Sequence, residues 1–214
     1  RRSSDLHRLE SILAAAENQA AAVRRLPAKQ IRQIAGSAMH QGIAARVGRY
    51  PYSPEPADYA APAGSFPHPL WVLLDGVVDP RNLGAMLRTA LCAGAAGVVV
   101  PKDRAAPATP AVSRASAGAL EHIRLVRVTN LARTIDAMKN DGCWIAGLDA
   151  DAEQSIFDAD LSGPLGLVAG GEGRGLRSLV RQRCDFLLRI PQQGPLGSLN
   201  ASVAGAVAVY EAFR

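Results

Sequence analysis

The chain has 214 residues, 48% of them apolar, with a net charge of +5 and a pI near 9.5, enough for one good core and a small second unit. Its apolar runs stop far short of the roughly 20 residues of a membrane span and no signal-peptide pattern opens it, which predicts a soluble cytoplasmic protein. Cys92, Cys143 and Cys184 form no C-x-x-C pair and the four histidines do not cluster, so a disulfide framework and a metal site lack support. The positive charge, mostly Arg, fits either a polyanion such as RNA or an ordinary basic surface.

Residues 1–46 hold two helical stretches. Leu6, Leu9, Leu13 and Ala16 recur at helical spacing between Leu6 and Ala22, and Pro27 opens a short helix that Gly36 can end. The unit is too short for a robust core of its own. Residues 47–69, crowded with Pro51, Pro54, Pro56, Pro62, Pro67 and Pro69, read as an extended, semi-rigid linker.

From residue 70 strands and helices alternate. "LWVLLDG" (70–76) is a buried strand, Asn82 to Ala93 a helix closed by Gly94, and "GVVVP" (97–101) the next strand. Thr109-Pro110 opens a helix ended by Gly118, followed by the strand "IRLVRV" (123–128). Leu131 to Asn140 is helical, "WIAGL" (144–148) and "LGLVAG" (165–170) are strands, and a short helix starts at Leu176. "FLLRI" (186–190) and a small-residue helix finish the chain. Continuous apolar strands separated by helices imply an α/β fold with a mostly parallel sheet covered on both faces.

Ligands of such sheets sit at the carboxyl ends of strands, and three loops stand out there. In "LDGVVDPRNLGAMLRTA" (74–90), Asn82 can cap the helix, and Leu83, Met86, Leu87 and Ala90 form its buried stripe. Arg81 and Arg88 lie on another face, turned to solvent or to a ligand. "LVAGGEGRGL" (167–176) allows close backbone approach, but it is neither a P-loop nor G-x-G-x-x-G. Its Glu172 would repel a phosphate and suits a hydroxyl, an amine or a cation. In "IPQQGPLGSLN" (190–200), Ser198 and Asn200 stand at a helix mouth, as a cap or as ligand-facing groups.

Together the three loops resemble, in order and spacing, the motifs of the SpoU family of SPOUT RNA ribose 2'-O-methyltransferases. The likeness runs through N-L-G-A-x-x-R-x-A, G-x-E-G-x-G-L and I-P-x-x-G-x-x-x-S-L-N-x-S-V-A and spans residues 70–214. "HQGIAARV" (40–47), "VPKDR" (100–104) and "RVTNLART" (127–134) resemble the bacterial RlmB-type branch, whose members methylate a guanosine ribose of 23S rRNA. The resemblance implies a C-terminal trefoil knot, S-adenosylmethionine as methyl donor, an RNA partner, and a homodimer in which the first-motif Arg can serve the partner's site. It also implies that residues 1–46 are the later part of an L30e-like RNA-binding domain lacking its opening strand and helix. By position it assigns Asn82, Arg88, Glu172, Ser198 and Asn200 to catalysis. Gly170, Ile190 and Leu199 go to the cofactor, with Gln192 beside them.

No His or Lys lies in the motifs to act as a base, and guanidinium is almost never deprotonated. Arg88 is therefore expected to hold the phosphate beside the ribose, and Asn82 to orient Arg88 or the ribose. The proton would leave through Glu172, Ser198 or water. Glu172 could instead anchor the glycine loop by accepting backbone N–H bonds. An NTPase or nucleotide oxidoreductase would need a glycine pattern that is absent, whereas a tRNA methyltransferase or a non-catalytic rRNA-binding protein remains an alternative.

Overall fold

The apolar runs form a parallel sheet with strands β1 (Leu70–Asp75), β2 (Gly97–Pro101), β3 (Leu125–Val128), β4 (Trp144–Leu148), β5 (Gln154–Ser155), β6 (Leu165–Gly170) and β7 (Phe186–Arg189). The computed structural model describes residues 2–36, 40–63, 67–195 and 197–214. Among these the sheet order is β3-β2-β1-β6-β4-β7-β5. The chain divides into two compact units, one ending at Arg49 and the other running from Tyr50 to Arg214.

In the first unit, α1 (Arg2–Asn18) stops four residues short of the expected Ala22, and α2 (Ala28–Ala35) ends as predicted on Gly36, whose φ is +61°. None of its described side chains is buried. It holds nine Lys and Arg against three Asp and Glu, whereas residues 50–214 hold fifteen against sixteen. The positive charge of the chain therefore resides in the first unit.

In the second unit, alternation along β1 feeds two cores. Leu70, Val72 and Leu74 meet α3 (Pro80–Ala93), α4 (Pro110–Ala115) and α7 (Ala201–Phe213) on one face. Trp71 and Leu73 meet α5 (Leu131–Asn140) and α6 (Ser178–Arg183) on the other. The predicted stripe of α3 is buried throughout: Leu83, Met86, Leu87 and Ala90 are each at most 1% exposed. α7 lies against α3 so closely that a Cβ on Gly205 would stand 2.3 Å from Met86 Cε.

Several local expectations are corrected. The cap of α3 is Asp79, whose Oδ1 accepts from the Arg81 N–H at 2.8 Å. Pro80 fixes the first helical position, so the cap falls just before it, and Asn82 is left inside the first turn. α4 ends at Ala115, and Gly118, at φ +90°, opens a short 3-10 turn instead. α6 begins at Ser178 rather than Leu176, because Arg177 is held extended by Asp75. The two-residue edge strand β5 is too short to announce itself by periodicity.

The proline-rich stretch from Tyr50 to Ala63 is fastened to the second unit. Ser53 bridges in parallel to Val126 on the β3 edge, and its N–H donates to the Leu125 carbonyl at 2.9 Å. The Tyr50 hydroxyl donates to the Leu120 carbonyl, and the Tyr52 hydroxyl accepts from the Ala108 N–H. Tyr59, 2% exposed, lies on the opposite face, where its carbonyl accepts from Trp71 Nε1.

Candidate active site

Past the carboxyl ends of β4, β6 and β7 lies a cavity of 690 Å³. Its floor is the loop after β6, and the glycines there have a steric reason. A Cβ on Gly171 would stand 2.1 Å from the Gly76 carbonyl oxygen, and one on Gly170 would stand 2.3 Å from the Gly175 carbonyl carbon. The loop folds back through a Gly171–Gly175 bridge, and the Gly171 N–H donates to the Asp75 carbonyl at 2.8 Å. The Asp75 side chain, wholly buried, accepts from the Arg177 backbone N–H at 2.8 Å and from Arg177 Nε at 2.6 Å. β1 and its carboxylate thus clamp both ends of the loop that carries Glu172.

Three predicted residues from three separate loops converge. Asn82 Nδ2 donates to Glu172 Oε1 at 2.6 Å, and Asn200 Nδ2 donates to the same oxygen at 2.9 Å and to Asn82 Oδ1 at 3.1 Å. Asn200 Oδ1 accepts from the Ser202 and Val203 N–H groups at the start of α7. An amide has both a donor end and an acceptor end, so Asn200 caps the helix with one and grips the acidic loop with the other. Glu172 accepts from side-chain amides rather than from the backbone N–H groups considered above. Among the described residues its second oxygen accepts no hydrogen bond, and the residue lines the cavity.

Ser198, Gly170, Ile190, Gln192 and Leu199 also line this cavity. Arg88 does not. It lies six residues beyond Asn82 on α3, exposed and, among the described residues, without a hydrogen bond or ion pair; six helical steps turn it well away from Asn82.

The cavity has a further wall that the motifs do not mark. Leu148 ends β4, Asp149 and Asp151 follow it, and Arg181 reaches in from α6. Arg181 Nε and Asp149 Oδ2 are 2.5 Å apart, and this hydrogen-bonded pairing holds the Asp149 carboxyl below its ordinary range. The sequence signal was only positional: an acid directly after a strand, at the end where ligands sit. No cysteine lines the cavity, and burial pushes the thiols of Cys143 and Cys184 up to about 11 and about 12.

Leu148, Leu188, Ile190 and Leu199 give the cavity apolar walls, and Asp149, Asp151 and Glu172 give it acceptors. Its volume falls within the range of small-molecule sites. This donor set fits a ligand with a flat apolar-faced part, hydroxyls and a cationic centre, as S-adenosylmethionine has, and it holds no phosphate cradle. Among the described residues no three His, Cys, Asp or Glu could share a metal ion, and no helix is long and apolar enough to cross a membrane.

Residues 69–210 match the SpoU rRNA Methylase family, and residues 2–53 match the family described as RNA 2'-O ribose methyltransferase substrate binding. The chain is 45% identical over 212 residues to the 23S rRNA (guanosine-2'-O-)-methyltransferase RlmB of Pseudomonas putida, covering 97% of this chain and 83% of that one. It is 44% identical over 209 residues to the enzyme of the same name from Vibrio vulnificus, with 97% and 83% covered. Among solved structures it is similar to the SpoU methyltransferase AviRb from Streptomyces viridochromogenes in complex with AdoMet. That likeness has a TM-score of 0.66 at 32% identity over 75% of this chain and 64% of that one. The AdoMet-bound rRNA methyltransferase from Sinorhizobium meliloti aligns at a TM-score of 0.67 and 29% identity, over 76% and 60%. With one family covering nearly the whole parallel-sheet unit and the three motifs meeting at one cavity, the chain belongs to the SpoU rRNA methylase family.

Proposed function

We propose that this protein transfers a methyl group from S-adenosylmethionine to the ribose 2'-hydroxyl of a guanosine in 23S rRNA. The observation that carries this reading is the Asn82–Glu172–Asn200 cluster beside the cavity, assembled from the three motif loops. Bound there, S-adenosylmethionine would supply a sulfonium methyl whose leaving group departs neutral. Gly170, Ile190 and Leu199 would hold it with Gln192 beside them, and Glu172 and Asp151 offer acceptors to its cationic centre.

The chain's own residues would prepare the nucleophile. A ribose hydroxyl is weak and must lose its proton as it attacks. Glu172 has one carboxylate oxygen fixed by two amides and the other free, so it can accept that proton directly or through Ser198 or water. Asn82 and Asn200 hold the carboxylate in place, and much of the rate would come from such positioning.

The trefoil knot, the homodimer and the cytoplasmic location belong to the same reading. The knot is supported by the family match over residues 69–210. α7 presents Val203, Tyr210 and Phe213, each 48–58% exposed, an apolar stripe that supports pairing of two copies. The L30e-like reading of the first unit is supported by its match to the substrate-binding family and by its excess of basic residues.

The direct test is transfer of labelled methyl from S-adenosylmethionine onto unmodified 23S rRNA, with the modified nucleotide mapped and cofactor binding followed by calorimetry. Methylation at a guanosine 2'-oxygen is expected. Absent cofactor binding would leave a non-catalytic RNA-binding protein. Arg88 gives a second test. Arg88→Ala is expected to change stability by less than about 0.5 kcal/mol, as for an unpaired surface residue, while abolishing transfer. Mixing inactive Arg88→Ala and Glu172→Ala proteins is expected to restore activity, since one mixed site would carry both intact residues. No restoration would show that Arg88 acts within its own chain.

A further inference from the structure

The carboxyl ends of β2 and β3 carry a group of exposed cations. On the other side of the sheet Lys139 pairs with Asp185, Arg177 with Asp75, Arg181 with Asp149 and Arg183 with Asp136. By contrast Lys102, Arg104, Arg127 and Arg133 are all exposed, and among the described residues none pairs with a carboxylate. Between residues 100 and 135 there are six Lys and Arg against two acids. Of these two, Asp103 lies within the group and Glu121 precedes β3 at the opposite end of the sheet. Grouping like charges without partners costs stability, and a polyanion would offset that cost.

The group is held in a fixed place. The Lys102 N–H donates to the Val128 carbonyl at 2.7 Å, and the Ala106 N–H donates to the Val77 carbonyl at 2.9 Å. The Ala108 N–H donates to the Tyr52 hydroxyl, and the Arg127 guanidinium lies 4.2 Å from the centre of the Tyr52 ring. Arg104 itself adopts φ +60°, a left-handed conformation that costs about 1 kcal/mol or more outside glycine. This conformation sets the exposed Arg104 at the turn of the pinned loop.

We infer that this rim is a phosphate-binding track for the RNA strand that carries the reactive ribose. The inference rests on the functional reading above. In the order β3-β2-β1-β6, the rim occupies β3 and β2, Asp79 to Asn82 follow β1, and Glu172 follows β6. At about 4.8 Å per strand, the end of β2 is about 10 Å from that of β6, a short step for an RNA backbone. Tyr52 and Ser53 fasten to this same β3 edge.

The test is filter binding of an unmodified 23S rRNA transcript over about 50 to 200 mM salt, a range in which counterion release is readily measured. Lys102→Ala with Arg104→Ala is expected to weaken binding about tenfold at the middle of that range. It should lower the slope of log affinity against log salt by about 1.4, or about 0.7 for each contact to a single strand. Cofactor affinity by calorimetry should not move. Asp103→Asn should act in the opposite direction and tighten binding two- to threefold, which no loss of folding can imitate. Arg124→Ala, at the opposite end of β3, should leave the slope unchanged. An unchanged slope in the double variant, or an equal fall in Arg124→Ala, would overturn the track. A wild-type protein that binds both S-adenosylmethionine and RNA, with the slope unmoved in the double variant, overturns the track alone; one that binds neither overturns the functional reading with it.

Discussion

Replacing Arg177 by Met is expected to destabilise the protein more than replacing Asp75 by Asn, although the two residues form one ion pair. The reason is the asymmetry of their surroundings. The Asp75 side chain is wholly buried, whereas that of Arg177 is 42% exposed. Removing the guanidinium leaves a carboxylate in the interior with a single backbone N–H to satisfy it, a loss of about 3–5 kcal/mol by analogy with other broken buried pairs. Removing the charge of Asp75 instead lets Arg177 turn to water, and the amide oxygen keeps one of the two bonds. That change should cost about 1.5–3 kcal/mol, the scale of a hydrogen bond to a charged group. The double variant should be more stable than Arg177→Met alone, because the residues touch and their effects cannot add. Denaturant melts of the three proteins check the order. If Asp75→Asn proved the more costly, the pair would not be working as a buried carboxylate held by a half-exposed clamp. Either single change should also weaken cofactor binding, since Asp75 fixes both ends of the loop that carries Glu172.

Much of this molecule is legible in its sequence because burial imposes periods that local patterns record. The longer strands and the stripe of α3 follow directly from runs such as "LWVLLD" and from the spacing of Leu83, Met86, Leu87 and Ala90. The errors arise where two residues compete for one role or where a role depends on distant sequence. Asp79 and Asn82 are both good caps, and only the position of Pro80 decides between them. The pairing of Asp75 with Arg177 spans 102 positions, and no local pattern encodes it. Tyr50, Tyr52 and Tyr59 sit in a proline-rich stretch whose composition predicts extended backbone but says nothing of what that backbone lies against. The candidate site shows the same division. The motifs mark Asn82, Glu172 and Asn200, yet Asp149 and Arg181 belong to no motif, and a cavity wall built from a strand end and a helix becomes visible only when the sheet is assembled. Arg88 is legible in part: the helical period sets it on an exposed face, as found, but does not bring it to Asn82.

Asn200 offers the sharpest separation of structure from function, because its two ends perform the two roles. Asn200→Ser is expected to keep α7 capped, since Ser and Asn are near equals at that position. Its hydroxyl is too short to span the 2.9 Å contact to Glu172 and the 3.1 Å contact to Asn82 together. Asn200→Ala loses both roles. The two variants should therefore differ in stability by about 1 kcal/mol, the worth of a cap, and fall alike in methyl transfer. A drop of about a hundredfold matches what misplacement of a reacting group by an ångström costs. Asn200→Asp completes the set. It retains the acceptor for the Ser202 and Val203 N–H groups and adds a favourable charge at a helix start. The same change replaces the donating nitrogen with an oxygen facing Glu172 Oε1, and two carboxylates that close repel by several kcal/mol even at an effective dielectric of about 20. Glu172 would swing away from Asn82 to relieve this. Transfer by Asn200→Asp should accordingly fall below that of Asn200→Ser. Melting curves and single-turnover rates on one RNA distinguish the outcomes. Wild-type turnover in Asn200→Ser would reduce Asn200 to a helix cap, and turnover in Asn200→Asp above that of Asn200→Ser would contradict the contact between Asn200 and Glu172 on which the site is built.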